Sequence, residues 1–191
     1  TGDSRVHAVE GDSLLTTTSF LRHCDASSSV RGNTAVVSYC EDEDGAQQRM
    51  ELTYEELCGH AHSVKNTVVT KIGVYELKND GVNPPVIAVV MEKGWEQVVA
   101  VLATHMAHCI YLPMDAKLWP ETRVRKVLEM SKAVAVLTQT RVTRKHHWLL
   151  TVPVLVVDVN AVVAGEPAVQ TLSDDKLFPL APNHLAYLIY T

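Results

Sequence analysis

The sequence lacks several features that would assign a protein class at once. Its 191 residues contain no uninterrupted apolar run of about 18 residues, so we expect no membrane-spanning helix. The start, TGDS, is not a basic segment followed by an apolar one, so no secretory signal is visible. The four cysteines form no CxxC pair and therefore predict reduced core thiols in a cytoplasmic protein. They are Cys24, Cys40, Cys58 and Cys109.

Clustered glycine and basic charge are also missing. The nine glycines are scattered, and the patterns G-x-x-x-x-G-K-[ST], G-x-G-x-x-G and G-x-S-x-G do not occur. No segment of this chain can therefore wrap a phosphate group with backbone amides. The net charge of −5 argues against general nucleic-acid binding, which requires a basic surface.

Histidine and cysteine occur close together in two places, but their spacing does not favour a metal site. On a helix, Cys58 and His62 would share a face while His60 points elsewhere. His105 and His108 lie one helical turn apart, where packing or surface exposure explains them. We therefore assign no metal ligand and no catalytic residue.

The patterned part of the chain begins after a weakly patterned segment, residues 1–33, in which Phe20 and Leu21 could anchor a short helix. Two β-branched runs, TAVVSY at 34–39 and RMELT at 49–53, flank an acidic stretch and predict a β-hairpin. Thr53 and Glu56 then form the sequence of a capping box, which predicts the start of a helix. Residues on one predicted face of that helix are Leu57, Ala61, Val64 and Val68.

Strands and helices alternate over the rest of the sequence. Apolar runs at 86–91, 109–112, 133–137 and 152–158 are separated by segments with helical spacing. This order predicts an α/β fold whose largely parallel sheet is flanked by helices. Asp158 follows the last of these runs, where we expect a capping or turn role. A further apolar run, LAYLIY at 185–190, predicts an interior strand, whose carboxyl end is where such sheets carry ligand loops.

Three segments carry a family resemblance. Residues 52–57, LTYEEL, fit L-[TS]-Y-x-E-L, and residues 111–115, YLPMD, fit Y-[VL]-P-[ILM]-D. The second is followed by WPETR at 119–123, similar to Y-P-x-x-R, while residues 185–191, LAYLIYT, fit the start of L-A-Y-x-x-Y-T-S-G-[ST]-T-G-x-P-K. Together they resemble the adenylation domains of nonribosomal peptide synthetases, within the superfamily of acyl-adenylate-forming ligases.

The resemblance gives the signature residues mainly structural roles. Pro120 would start a helix, and Asp115 and Arg123 would pair or cap. The chain departs from the family where K-A-G-[GA] precedes the second signature, because MAHC at 106–109 puts His108 and Cys109 in place of the glycines. These replacements fall at a helix end and in a loop, so we expect the fold to tolerate them.

The resemblance implies that residues 34–191 form the N-terminal subdomain of an adenylation (AMP-binding) domain, part of the large N-terminal domain of such an enzyme, truncated at the start of its phosphate loop. Thr191 is the one residue it assigns to nucleotide binding. The implied reaction joins a carboxylate, such as an amino acid, to AMP from ATP and then transfers the acyl group to a carrier thiol. ATP, Mg²⁺ and a phosphopantetheine on a carrier domain would serve the full-length enzyme, with none expected on this fragment.

The resemblance also implies partners and leaves alternatives. We expect the remainder of the adenylation domain, a carboxylate substrate and a carrier domain as partners, without nucleic acid or membrane. Apolar surface where the remainder would dock predicts self-association of the fragment, and we expect the fragment alone to be inactive. Two other functions stay open: an acyl-CoA synthetase of the same superfamily, and a degenerate, non-catalytic binding module.

Overall fold

The first described unit is an antiparallel hairpin. In a computed structural model, the described residues are 20–21, 23–24, 27–41, 47–73, 84–165 and 184–190. Strand β1 (Thr34–Glu41) pairs with β2 (Gln47–Thr53), with Thr34 opposite Thr53 and Glu41 opposite Gln47. The hairpin prediction is thus confirmed, while the acidic residues 42–46 lie outside the described residues.

Helix α1 (Tyr54–Ile72) starts at the predicted capping box. The Thr53 hydroxyl accepts a hydrogen bond from the Glu56 amide at 3.2 Å, and the Glu56 carboxylate accepts one from the Thr53 amide at 2.8 Å. The Thr53 hydroxyl also donates to that carboxylate at 2.9 Å, and the two bonds from Thr53 stabilise its charged form and lower the pKa of Glu56. The helix ends at Gly73, whose φ of 83° is a left-handed value that glycine adopts without steric cost. The four residues of the predicted apolar face, Leu57, Ala61, Val64 and Val68, are all buried.

A four-stranded, wholly parallel sheet forms the centre of the molecule, with strand order β4-β3-β5-β6. The fold prediction is therefore confirmed. In chain order the remaining elements are β3 (Val86–Met91), α2 (Trp95–Met106), β4 (Ile110–Asp115), α3 (Glu121–Ser131), β5 (Ala135–Thr138), α4 (Thr140–Lys145), a 3₁₀ turn (His147–Thr151), β6 (Leu155–Asp158) and α5 (Val159–Ala164). Within the described residues, no helix is long and apolar enough to cross a bilayer.

The two faces of the sheet are covered by separate apolar clusters. Alternate residues of β3 supply both, since side chains of a strand point to opposite faces in turn. Ile87 and Val89 join α1, α2 and α5 on one face, whereas Ala88 and Val90 join α3 on the other. Phe20 packs against the first cluster. A sheet buried on both faces explains why β3 is apolar at every position.

The signature segment after β4 is built from local contacts. The Asp115 carboxylate accepts hydrogen bonds from the amides of Lys117 at 2.8 Å and Leu118 at 3.1 Å, which closes a turn. The guanidinium of Arg123 lies over the Trp119 ring at 4.1 Å. Asp115 therefore closes the turn after β4 and does not cap α3, while Arg123 stacks on an aromatic ring. Pro120 directly precedes α3 as its cap residue.

The expected helix near residue 141 is interrupted. Helix α4 stops at Lys145, and the chain resumes as a 3₁₀ turn at His147. Between them His146 has φ −125° and ψ 64°, which is not a helical conformation. The turn brings Leu149, which is fully buried, into the second apolar cluster. Burial of that side chain explains why the helix does not continue.

Candidate functional site at the carboxyl edge of the sheet

The carboxyl ends of β3 and β5 lie next to each other at the point where the chain changes direction across the sheet. After β3 the chain adds β4 on one side, and after β4 it returns to add β5 on the other. Open α/β sheets bind ligands outside the carboxyl ends of their strands at such a point. This edge is therefore the place to look for functional side chains.

Gln139 ties these two strand ends together. It directly follows β5 and is completely buried. Its Oε1 accepts a hydrogen bond from the Glu92 amide at 3.0 Å, just past the end of β3. Its Nε2 is buried without a hydrogen-bond partner. Thr138 adds a second tie, because its hydroxyl donates to the Val90 carbonyl at 2.9 Å.

A charged cluster surrounds Gly94 in the loop after β3. The buried carboxylate of Glu96 accepts a hydrogen bond from Asn160 at 3.3 Å, and Nη2 of Arg141 lies 3.8 Å from its other oxygen. Arg141 also donates to the Lys93 carbonyl at 3.3 Å and lies 3.6 Å from the Glu92 carboxylate. A Cβ at Gly94 would approach the Glu96 carboxylate to 2.5 Å. A side chain at position 94 would therefore force the charged groups that now fill this space to shift.

Asp158 connects β6 to the same edge. One of its carboxylate oxygens accepts from the Ala161 amide at 3.2 Å and caps α5, which confirms the predicted capping role. The other accepts from the Thr140 hydroxyl at 2.7 Å. Asn160 also accepts a hydrogen bond from the Thr140 amide at 3.1 Å. Asp158 is thus occupied by structural bonds on both oxygens.

A shallow pocket of about 240 Å³ opens beside this cluster, lined by Glu92, Lys93, Asp115 and Lys117. Two ammonium groups and two carboxylates suit a polar ligand bearing both charges. Among the residues that the structure describes, no three His, Cys, Asp or Glu side chains are grouped to hold a metal ion.

A larger pocket of about 440 Å³ lies at the opposite, amino end of the sheet. Its walls include Leu128, Val152 and Val154, with Arg125 at the rim. Arg125 is already bonded to Glu121, to the Thr151 hydroxyl and to the Trp148 carbonyl. This pocket is distinct from the candidate site, because it lies at the other end of the strands and its Arg125 guanidinium is already hydrogen-bonded.

Residues 184–190 run parallel to β4 at the outer edge of the sheet. The Tyr111 amide donates to the Ala186 carbonyl at 3.2 Å, and the Leu188 amide donates to the Tyr111 carbonyl at 3.0 Å. These two bonds form one bridge between Tyr111 and Tyr187. The segment was predicted to be an interior strand; attachment to the sheet is confirmed, but among the described residues it lies at an edge and makes a single bridge. Thr191, the predicted nucleotide contact, lies outside the described residues.

His60 and Cys58 of α1 have different neighbours. The His60 ring packs against Trp95 with 5.7 Å between ring centroids. Cys58 instead lies near Cys24, whose Sγ donates to the Tyr54 carbonyl at 3.6 Å. Burial, together with the hydrogen bond to Cys58, raises the pKa of Cys24 to about 12. Cys24 and Cys58 are not joined by a disulfide in this structure.

The turn before β4 explains the replaced glycines. His108 has φ 57°, a left-handed value that glycine adopts at no steric cost. Cys109 is buried, and burial raises its pKa to about 12. The backbone that glycine would favour is therefore retained with a histidine in its place. The fold tolerates the replacement, as predicted.

The contact between Gln139 and the backbone of Glu92 was not predicted from the sequence. A signal was available, because Glu92 and Gln139 are polar residues directly after apolar strands, where parallel sheets carry functional groups. The pairing of the two across 47 residues could not be read from spacing. It depends on β3 and β5 being neighbours in the sheet.

Comparison with known proteins agrees with this geometry. Residues 26–191 match the family described as AMP-binding enzyme. Tyrocidine synthase 1 of Brevibacillus parabrevis is 32% identical over 141 residues, which is 73% of this chain and 12% of that protein. Tyrocidine synthase 2 of the same organism is 37% identical over 116 residues, 60% of this chain and 3% of that protein. The chain thus spans a small part of these relatives.

Solved structures give the same result. The nonribosomal peptide synthetase FmoA3, in its α-methyl-L-serine-AMP bound form, superposes with a TM-score of 0.66 and 32% identity. That match covers 99% of this chain and 18% of FmoA3. MatB from Rhodopseudomonas palustris superposes with a TM-score of 0.60 at 20% identity, which shows a shared fold. That match covers 92% of this chain and 32% of MatB. Since the family match spans most of its length, the chain belongs to the AMP-binding enzymes, with adenylation domains of nonribosomal peptide synthetases among its relatives.

Proposed function

We propose that this chain is the N-terminal part of an ATP-dependent ligase that activates an amino acid. In this reaction the substrate carboxylate attacks the α-phosphorus of ATP, which yields an aminoacyl adenylate and pyrophosphate. A carrier-bound phosphopantetheine thiol then takes the acyl group. The observation that carries the proposal is the AMP-binding match over residues 26–191, together with relatives that are peptide synthases.

The proposed division of the chain follows its sequence signatures. Residues 34–191 belong to the N-terminal subdomain of the adenylation domain, and residues 1–33 precede it. Residues 184–190 run parallel to β4 and so head toward the carboxyl edge of the sheet. Thr191 is the next residue, and we propose that it is the first nucleotide contact of a phosphate loop.

The described residues do not by themselves fit a triphosphate. The pocket at Glu92 and Lys93 offers two lysines, but both carboxylates in its wall would repel phosphate. We therefore assign no ATP or Mg²⁺ contact to it. Binding would fall to the loop that starts at Thr191 and to segments beyond this chain. For the same reason we expect the 191-residue chain to be inactive alone.

The other two functions have less support. An acyl-CoA synthetase of the same superfamily is the first alternative, but the relatives at about a third identity are peptide synthases. The loss of two glycines at His108 and Cys109 is the feature of this chain that would favour a non-catalytic module. The left-handed backbone retained at His108 weakens that argument, since the signature keeps its shape without glycine.

Pyrophosphate exchange tests the proposal. The longer protein that carries this chain is assayed with ATP and a panel of amino acids, and separately with fatty acids and coenzyme A. Amino-acid-dependent exchange is expected, and the 191-residue chain serves as the inactive control. Activity with fatty acids alone would favour the acyl-CoA synthetase, and no activity with any acid would favour the module. Exchange by the 191-residue chain would contradict the expected inactivity.

Self-association of the chain is a separate proposal. Three side chains on the outer face of residues 184–190 are exposed: Leu185 at 55%, Tyr187 at 52% and Ile189 at 65%. An exposed apolar strip favours association through burial of that surface. Sedimentation velocity is expected to show mass increasing with concentration. A strictly monomeric chain at high concentration would refute the proposal.

A further inference from the structure

Residues 184–190 have few backbone ties to the sheet. Only the bonds of Tyr111 to Ala186 and Leu188 join them to β4. Leu188 and Tyr190 pack against the second apolar cluster, while residues 185–187 and Ile189 are exposed. A two-bond bridge cannot by itself fix the segment, since each net backbone hydrogen bond contributes only about 1 kcal/mol.

One side chain adds a third polar tie. Nε2 of His105, in the last turn of α2, lies 3.1 Å from the Ala186 carbonyl oxygen. That oxygen already accepts the Tyr111 amide, so both of its lone pairs are used. The His105 bond comes from a helix whose own position is fixed by burial of Val99 and Ala103 in the first cluster. The anchor is therefore more rigid than the segment it holds.

Aromatic stacking extends this contact. The His105 ring lies 5.3 Å from the Tyr111 ring, and Tyr111 lies 5.6 Å from Tyr187. The three rings thus form a continuous row from α2 across β4 to the edge segment. Offset and tilted pairs at such distances are mutually attractive. The row sets the orientation of His105 toward the Ala186 carbonyl.

The protonation state of His105 allows its Nε2 to donate a hydrogen bond to the Ala186 carbonyl. Its partial burial lowers the pKa, and the bond to Ala186 offsets only part of that effect, so the ring is neutral near pH 7. A neutral imidazole carries one N–H, and a carbonyl oxygen can only accept. The proton therefore resides on Nε2.

We propose that His105 is a positioning residue for the nucleotide-binding loop, because its Nε2–H holds the Ala186 carbonyl and so fixes the segment that leads to Thr191. This inference rests on the proposed function, since only a nucleotide loop beginning at Thr191 gives the segment a role in ATP binding. His105 itself touches no reacting atom.

The first test measures the segment without any activity. Amide hydrogen exchange of the full 191-residue chain is compared among wild type, H105F, H105Q and H147F. H105F keeps an aromatic ring but removes the N–H donor. H105Q instead provides a side-chain N–H donor at a similar distance from the backbone. The exposed His147 provides the same substitution away from the segment. We expect the Leu188 amide to exchange about 2- to 10-fold faster in H105F, as the loss of one neutral hydrogen bond implies.

The controls make this result specific. In H105F, the Leu137 amide in the sheet centre should exchange at its wild-type rate. In H105Q and H147F, the Leu188 amide should exchange at its wild-type rate. An unchanged Leu188 rate in H105F would overturn the proposal. Equal acceleration at Leu137 would overturn it too, because the effect would then be global unfolding. Failure of H105Q to restore protection would show that the hydrogen bond is not the cause.

The second test uses the longer protein that carries this chain. H105F is expected to raise KM for ATP about 2- to 10-fold in pyrophosphate exchange, with KM for the amino acid unchanged and H105Q close to wild type. An unchanged KM for ATP beside faster Leu188 exchange would reduce His105 to a purely structural contact and overturn the positioning role. If the wild-type protein shows no pyrophosphate exchange, the proposed function is refuted, and the amide hydrogen exchange result still stands.

Discussion

Strand β3 and residues 184–190 are both short apolar runs, yet they occupy opposite situations in the sheet. β3 pairs along its length with β4 and for three residues with β5, and its Ile87 and Val89 are completely buried. Residues 184–190 meet the sheet at one bridge and leave every second side chain exposed. Apolar composition therefore does not decide which segment contributes most to stability. Neighbours on both sides do.

The largest expected effect comes from deleting a side chain at the centre. Leu137 in β5 is completely buried, and L137A should lower the free energy of unfolding by about 2–5 kcal/mol through lost contacts and a cavity. The matched change at the edge, I189A, should alter it by no more than about 0.5 kcal/mol, since Ile189 is 65% exposed. Urea denaturation measures both. Equal losses would abolish the distinction between centre and edge.

The loop at the carboxyl end of β3 should be the next most sensitive place. G94A puts a Cβ against the buried Glu96 carboxylate and should lower the free energy of unfolding by about 1–3 kcal/mol. The control is G59A, on the exposed face of α1, where nothing lies within 4 Å. Because alanine favours the helix, G59A should raise the free energy of unfolding by about 0.5–1 kcal/mol. A neutral G94A in thermal or urea denaturation would mean that the charged cluster rearranges freely.

The turn that enters β4 should respond in the opposite sense. His108 has φ 57°, so H108G should raise the free energy of unfolding by up to about 1 kcal/mol through relief of the left-handed strain. The neighbouring A107G, at φ −82°, should lower it, because glycine gains nothing there and a buried methyl is lost. Destabilisation by H108G would show that contacts of the imidazole outweigh the backbone strain.

The smallest expected effect is a pH dependence, because the two rings concerned are only partly buried. Burial lowers the pKa of both His60 and His105 below the ordinary 6.5. The unfolded chain then binds protons more readily than the folded one in the window just below 6.5. The free energy of unfolding should therefore fall as the pH drops through that window and level off below the folded pKa. The double variant H60Q/H105Q should lose this slope in urea titrations at several pH values, and an unchanged slope would assign it to other groups.

The parts of the fold that follow local rules could be predicted from sequence. The capping box at Thr53 needs only two residues three apart, and the hairpin needs only two β-branched runs near a turn. The apolar runs of β3 and β5 likewise identified buried parallel strands. In each case the decisive interaction lies within the element or next to it.

The parts that depend on distant neighbours could not be predicted. The pattern of residues 185–190 is equally consistent with a central strand and an edge segment, because periodicity does not report how many strands lie alongside. The interruption at His146 follows from burial of Leu149 in a cluster drawn from several elements. The role of Gln139 needs β3 and β5 side by side. At the candidate site, the motifs identified the right edge of the sheet but not the cluster that fills it.

The bonds that Thr140 makes to Asp158 and Asn160 have a consequence for how the chain assembles. They close loops of 18 and 20 residues, whereas the bonds joining the end of β5 to the end of β3 span 47 and 48 residues. Shorter loops cost less entropy to close, so the β5–β6–α5 unit is expected to form before it docks on β3. Folding kinetics would then be slowed more by a substitution at Thr140 than by one at Thr138. On this order, the buried Gln139 contact forms after the β5–β6–α5 unit.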